Sequence, residues 1–213
     1  MASMNTPLRT ASISREIDID QRTVALACSS EEPYRRWWGV EILDHSPSSV
    51  DLTRLGDNRH PLLLQHDMDE QIGVVRDVTI GADKVLRCKP KFSKSAKAEE
   101  IFQDIVDEIR SLVSIGYMID ELQEERTLED GTTEVVRTLS FADFQTEMRA
   151  KHGDAFDFNR AADAASANSS DQPVFRVTRW TPYEVSIVSV PADATVGVGR
   201  AAGAVGGTAS STK

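Results

Sequence analysis

Three polar residues stand on strand-like segments: His66 where the buried strand of "LLLQHDMDEQIG" meets a polar loop, Ser114 in "LVSIGYMID" and Glu184 in the apolar run of "WTPYEVSIVSVPAD". A serine hydroxyl becomes a useful nucleophile when a neutral imidazole takes its proton, and the imidazole needs a third group to hold its tautomer. One residue of each type is available here, on three separate strand-like segments. The chain order His, Ser, acid is none of the three familiar orders of Ser–His–acid hydrolases, and no G-x-S-x-G elbow surrounds Ser114. Blander readings stand beside this one. A histidine at a strand end can simply hydrogen-bond, a strand serine can simply be polar, and Glu184 can pair with Arg176 or Arg179. A carboxylate in so apolar a run needs a partner or a role, because burying an unpaired charge is costly. Gly116, two residues after Ser114, sits where a solvated strand would carry threonine or lysine. Glycine inside a strand weakens it and marks a place where something comes close to the backbone.

A metal reading with His60, His66, Asp67 and Asp69 lacks any tight two-histidine spacing, so no metal and no cofactor is expected. His45 and His60 lie in loops beside proline, and His152 lies in a charged segment. Cys28 and Cys88 are far apart, each in a strand-like run, and read as buried free thiols.

These residues must be positioned by a mainly β chain. "REIDIDQRTVALACSS" reads as a strand pair with its turn near Asp20–Gln21, "WWGVEILDHS" as a strand, and "SPSSVDLTRL" as the start of a short helix. "HPLLLQHD" is a short buried strand, and "QIGVVRDVTI" and "KVLRCKPKF" alternate around a "GAD" hairpin signal. The clearest helix is "SKSAKAEEIFQDIVDEIRSL", whose Ile101, Phe102, Ile105, Val106, Ile109 and Leu112 form one apolar stripe behind an N-cap at Ser95. A second helix starts at Ser140 in "SFAD". The expected class is α+β, mainly strands with helices. Residues 1–13 read as a polar arm, 14–200 as the domain with an insertion at about 122–173, and 201–213 as a small-residue tail.

The chain has 213 residues and a net charge of -10, which argues against nucleic acid as a partner. No window approaches the length of apolar chain that a membrane span needs, and no apolar signal core opens the sequence, so a cytoplasmic location is expected.

"PLLLQHDMDEQIG", "FSKSAKAEEIFQDIVDEIRSLVSIGYMID" and "WTPYEVSIVSVPAD" together resemble the prohead (capsid maturation) proteases of tailed bacteriophages, a family related in fold to the herpesvirus assemblins. The resemblance runs from about Ser14 to Arg200 without the insertion. It implies a closed or partly closed assemblin-like β-barrel flanked by helices. It implies a serine endopeptidase that acts on scaffold and capsid-protein segments, and on its own tail, inside the assembling procapsid of the host cytoplasm, as a homodimer or higher oligomer. Carried onto this chain, the catalytic set is Ser114, His66 and Glu184. Glutamate departs from the assemblin pattern, which has histidine at the third position. The resemblance also implies that Gly116 leaves room for substrate backbone, and that the N–H groups of Ala192 and Asp193 face the developing charge. A non-catalytic scaffold or capsid-associated module of the same fold is the alternative.

Overall fold

The computed structural model describes residues 16–55, 59–153, 172–193 and 195–198. The readings of the arm at 1–13 and the tail at 201–213 lie outside the described residues, as does nearly all of the small-residue linker at 161–173.

Among the described residues, fourteen strands and two helices follow one another. The strands are β1 (Ile17–Asp18), β2 (Thr23–Val24), β3 (Leu26–Ser29), β4 (Tyr34–Arg36), β5 (Gly39–Leu43), β6 (Pro61–Leu64), β7 (Asp67–Val74), β8 (Thr79–Ile80), β9 (Leu86–Cys88) and β10 (Lys91–Phe92). Helix α1 (Ala96–Val106) leads to β11 (Val113–Thr127) and β12 (Thr133–Ser140), then α2 (Phe141–His152), β13 (Val174–Ile187) and β14 (Gly197–Val198). The larger sheet runs in the order β1-β2-β10-β7-β6-β13-β11-β12, with β5 also on β13 and β4 on β5; the smaller runs β14-β3-β9-β8.

The expected α+β class holds: the described residues are mainly sheet with two helices. No closed barrel is found among the described residues, so the expected closed or partly closed assemblin-like barrel is not confirmed. The larger sheet is an open path with β1 at one end and β12 at the other, so its pairing never returns on itself. Its spine is the antiparallel pair of the two longest strands, β11 and β13.

Each helix is set by its cap. The Ser95 side chain accepts from the Ala98 N–H, and Ser140 does the same for Asp143. Helix α1 buries Ala98, Ile101, Phe102 and Ile105. It stops earlier than the apolar stripe implies, because Glu108 takes a φ of 66° just after the cap at Asp107, and Ile109 is left 72% exposed. "SPSSVDLTRL" forms turns and not a helix: Val50 bridges to Trp180, and the Asp51 N–H is taken by the Trp180 carbonyl at 2.9 Å.

Part of the segment read as an insertion, residues 122–153, is described. Leu122–Thr127 extends β11, β12 pairs back along it, and α2 returns with Phe144 fully buried. Trp38, Phe144 and Phe175 meet edge to face, with centroids 5.1 to 5.5 Å apart.

His45 is fully buried with its ring edge against Trp180. Nδ1 lies 2.8 Å from the Leu43 carbonyl, which only accepts, so Nδ1 carries the proton and Nε2 accepts from the Ser29 hydroxyl at 3.0 Å. Burial holds the His45 pKa below its ordinary value, against the pull of the Leu43 carbonyl and of Glu31, Asp44 and Asp193. A histidine whose folded pKa is depressed binds its proton more readily in the unfolded chain, so stability is full above roughly pH 6.5 and declines as pH falls below it. The melting temperature should therefore drop between pH 7.5 and 5.5, and His45→Gln should flatten that drop even if it lowers the absolute value. A wild-type melting temperature unchanged over this range would refute the assignment.

Candidate functional site

The register of the central pair puts the site together. Ser114 lies opposite Ser186 and Gly116 opposite Glu184, so all four share one face of the sheet. The pairing then slips between Gly116 and Tyr117, where Pro182 faces Tyr117 and Tyr183 becomes the extra residue. Proline cannot donate to a ladder and is tolerated at such a bulge, and bulges commonly re-aim side chains beside a site.

His66 comes from the neighbouring strand pair. Leu64 faces Asp67 across a two-residue turn made of Gln65 and His66, at φ of 57° and 60°. Tight hairpins need positive φ at both central residues, and glycine or asparagine is the usual solution. Gln65 and His66 hold this unfavourable region because the end of β13 grips them. The Gln65 N–H donates to the Ile187 carbonyl at 3.0 Å, its amide to the Ser189 hydroxyl at 2.6 Å, and the His66 N–H to Ser186 Oγ at 3.1 Å.

The turn aims the imidazole at Glu184. Nδ1 is 2.6 Å from Oε1, and the other carboxylate oxygen accepts from the Ser186 hydroxyl at 2.7 Å. The Glu184 side chain is 1% exposed, whereas that of His66 is 43% exposed. The buried acid is thus satisfied from two sides and fixes the Nδ1–H tautomer, leaving Nε2 at the solvent side. Arg176 is not its partner: it pairs with Glu125 at 2.7 Å and Glu31 at 3.6 Å.

Gly116 faces Glu184 across the ladder. A Cβ there would lie 2.3 Å from Glu184 Oε1 and 2.9 Å from its carboxyl carbon, so the space it leaves is filled by the acid. Gly116→Ala should displace the carboxylate, cost about 1–3 kcal/mol as overpacking does, and weaken the hold on His66. Two-dimensional long-range NMR of the imidazole nitrogens would show the Nδ1–H tautomer in the parent and a mixture in the variant. An unchanged tautomer would contradict the geometry.

A cleft of about 660 Å³ runs over this face, lined among others by His66, Ser114, Gly116, Tyr183, Glu184 and Ala192. Met68 and Met118, 61% and 44% exposed, are on its walls, as is Phe141 of α2. The Asp193 carboxylate accepts from the Ser30 N–H at 3.1 Å and hydroxyl at 2.5 Å, and from the Thr195 N–H at 2.8 Å, tying this loop to the end of β3. No group of three or more His, Cys, Asp or Glu among the described residues is arranged to hold a metal.

Sequence reasoning missed two features. Ser186 was passed over, although it bonds both His66 and Glu184. At the cleft wall formed by Arg36 and Tyr117, Arg36 Nε bonds Glu41 at 2.8 Å, Arg36 Nη2 donates to the Tyr117 hydroxyl at 3.0 Å, and that hydroxyl donates to Glu41. Burial works against the Arg36 charge, yet Glu41 and Tyr117 hold its pKa above the ordinary value; burial and Glu41 raise that of Tyr117 well up, so it stays a donor. The signal available was Glu41 alone in the apolar run "GVEIL".

Among curated proteins, the chain is 37% identical over 178 residues to a protein named major capsid protein from Halomonas phage phiHAP-1. The match takes 82% of this chain and spans 23% of that relative's length. No family model and no solved structure matches. The similarity corrects the reading of the three sequence blocks. The relative is named for the capsid and not as a prohead protease, so the assignment as a serine endopeptidase, with its hydrolase and self-processing activities, is overturned. The arrangement of His66, Ser114 and Glu184 stays as geometry that needs another use.

Proposed function

We propose that this chain is a non-catalytic, capsid-associated module of a phage, which works in or at the procapsid by holding an extended segment of capsid polypeptide in the cleft over β11 and β13. The observation that carries this reading is the 37% identity over 178 residues to a phage major capsid protein. The match spans 23% of that protein's length.

The cleft supports the peptide as ligand. Its volume of about 660 Å³ falls in the range of binding sites, and its walls combine apolar area with a few fixed polar groups. Met68, Met118, Phe141 and Tyr183 offer adaptable and aromatic surface to side chains. Ser114, His66 and Glu184 form its polar centre: Glu184 fixes the ring, His66 presents Nε2, and the Ser114 hydroxyl can bond a peptide carbonyl or N–H. Ala192 flanks this centre, and Asp193 secures the loop that carries it.

The reading is tested by fluorescence anisotropy with labelled peptides that tile the capsid polypeptide of the same phage. One or a few peptides should bind, and His66→Ala should weaken them about tenfold, the equivalent of one good hydrogen bond and its setting. If no peptide binds, or if His66→Ala binds all as well as the parent, the cleft is not the site.

A further inference from the structure

Cys28 and Cys88 are the only two cysteines of the chain, and the fold brings their Sγ atoms to 2.9 Å. They lie on neighbouring strands of the smaller sheet. Leu26 of β3 faces Cys88 of β9, and the register slips between Ala27 and Ser29, which makes Cys28 the extra residue of a bulge. Both side chains are buried, at 1% and 3% exposure. A separation of 2.9 Å is less than 1 Å beyond a sulfur–sulfur bond of about 2.05 Å.

We propose that Cys28 and Cys88 are a redox pair that closes to a disulfide between β3 and β9 by exchange with a small-molecule disulfide. Cys28 borders a water-sized cavity of about 40 Å³ with Ser30, Ser114, Ala192 and Asp193, and with both sulfurs buried it is reached by the disulfide when the β3–β9 edge opens. Its thiolate attacks one sulfur of oxidised glutathione, forming a mixed disulfide and expelling one glutathione thiolate. The Cys88 thiolate then attacks Cys28 Sγ and expels the second. The two protein thiols together give up two protons and two electrons, and one glutathione disulfide becomes two glutathione thiols. Burial, with Cys28 and Asp77 adding to it, pushes the Cys88 thiol well up, so little of it is thiolate and the closing step is slow.

Closure would act on the cleft. Ser30, two residues beyond Cys28, holds the Asp193 carboxylate through both its N–H and its hydroxyl. Anchoring β3 to β9 therefore steadies the loop that carries Ala192 at the cleft wall. The cross-link itself does not depend on what the cleft binds.

The test treats fully reduced protein with oxidised glutathione, quenches with acid, unfolds in denaturant, alkylates with iodoacetamide and weighs the intact chain. A second arm refolds the protein from denaturant in a glutathione redox buffer, so that access to buried sulfur is not limiting. The expected product has lost the mass of two hydrogen atoms, takes no alkyl group, and melts roughly 5–10 °C higher than the reduced form. Cys28→Ser and Cys88→Ser should each keep one reactive thiol and show no rise. Two alkylated thiols in the refolding arm, a stable glutathione adduct in place of the internal bond, or a cross-link between two chains would each overturn the proposal.

Discussion

Phe144→Ala is expected to cost about 3–5 kcal/mol of stability, the range for truncating a fully buried aromatic. Its ring touches Trp38 and Phe175 edge to face at 5.1 Å each, so the loss removes the meeting point of α2, the β4–β5 connection and β13. Denaturant unfolding followed by tryptophan fluorescence measures it directly. A loss below about 1 kcal/mol would mean that α2 is an appendage and not part of the core. The consequence reaches the cleft, because Phe141 and Gln145 on the same helix line it.

Glu184→Ala carries the other large effect, a loss of about 2–3 kcal/mol. A buried carboxylate that accepts from His66 and Ser186 leaves both donors without their acceptor when it is removed. The figure is kept below that of a fully buried ion pair because the His66 side chain is 43% exposed and water can take over its share. The Gln65–His66 turn should loosen as well, since Ser186 also holds the His66 N–H. Hydrogen exchange of the turn amides would report this, with Glu184→Gln intermediate because an amide keeps one acceptor oxygen. Turn amides as protected in Glu184→Ala as in the parent would contradict the account.

The legible part of this fold was the part written in side-chain period. Alternation in "LVSIGYMID" and "WTPYEVSIVSVPAD" marked the two spine strands, and serine caps marked both helix starts at Ser95 and Ser140. The hairpin at Gln65–His66 was not legible, because neither residue announces a positive φ; only the end of β13, more than a hundred residues later, makes it affordable. The early stop of α1 at Asp107 was hidden for a related reason: the apolar stripe runs on through Ile109, which the chain leaves in solvent. Single residues pointed to His66, Ser114 and Glu184, but register decided their neighbours. Gly116 opposite Glu184 explains the glycine by the acid across the ladder, which no local reading of "SIGYM" contains. The resemblance of three sequence blocks to prohead proteases implied a catalytic reading that similarity to a protein named major capsid protein overturned.

The central claim is that the cleft belongs to a structural capsid module, and co-incubation with the full-length capsid polypeptide of the same phage tests it most directly. Sedimentation would show whether the two associate, and intact mass spectrometry would show what becomes of each chain. The account predicts co-sedimentation that His66→Ala weakens, with both polypeptides keeping their full masses over days. Shortened capsid chains that disappear when Ser114 is replaced by alanine would contradict it, and so would two proteins that sediment independently.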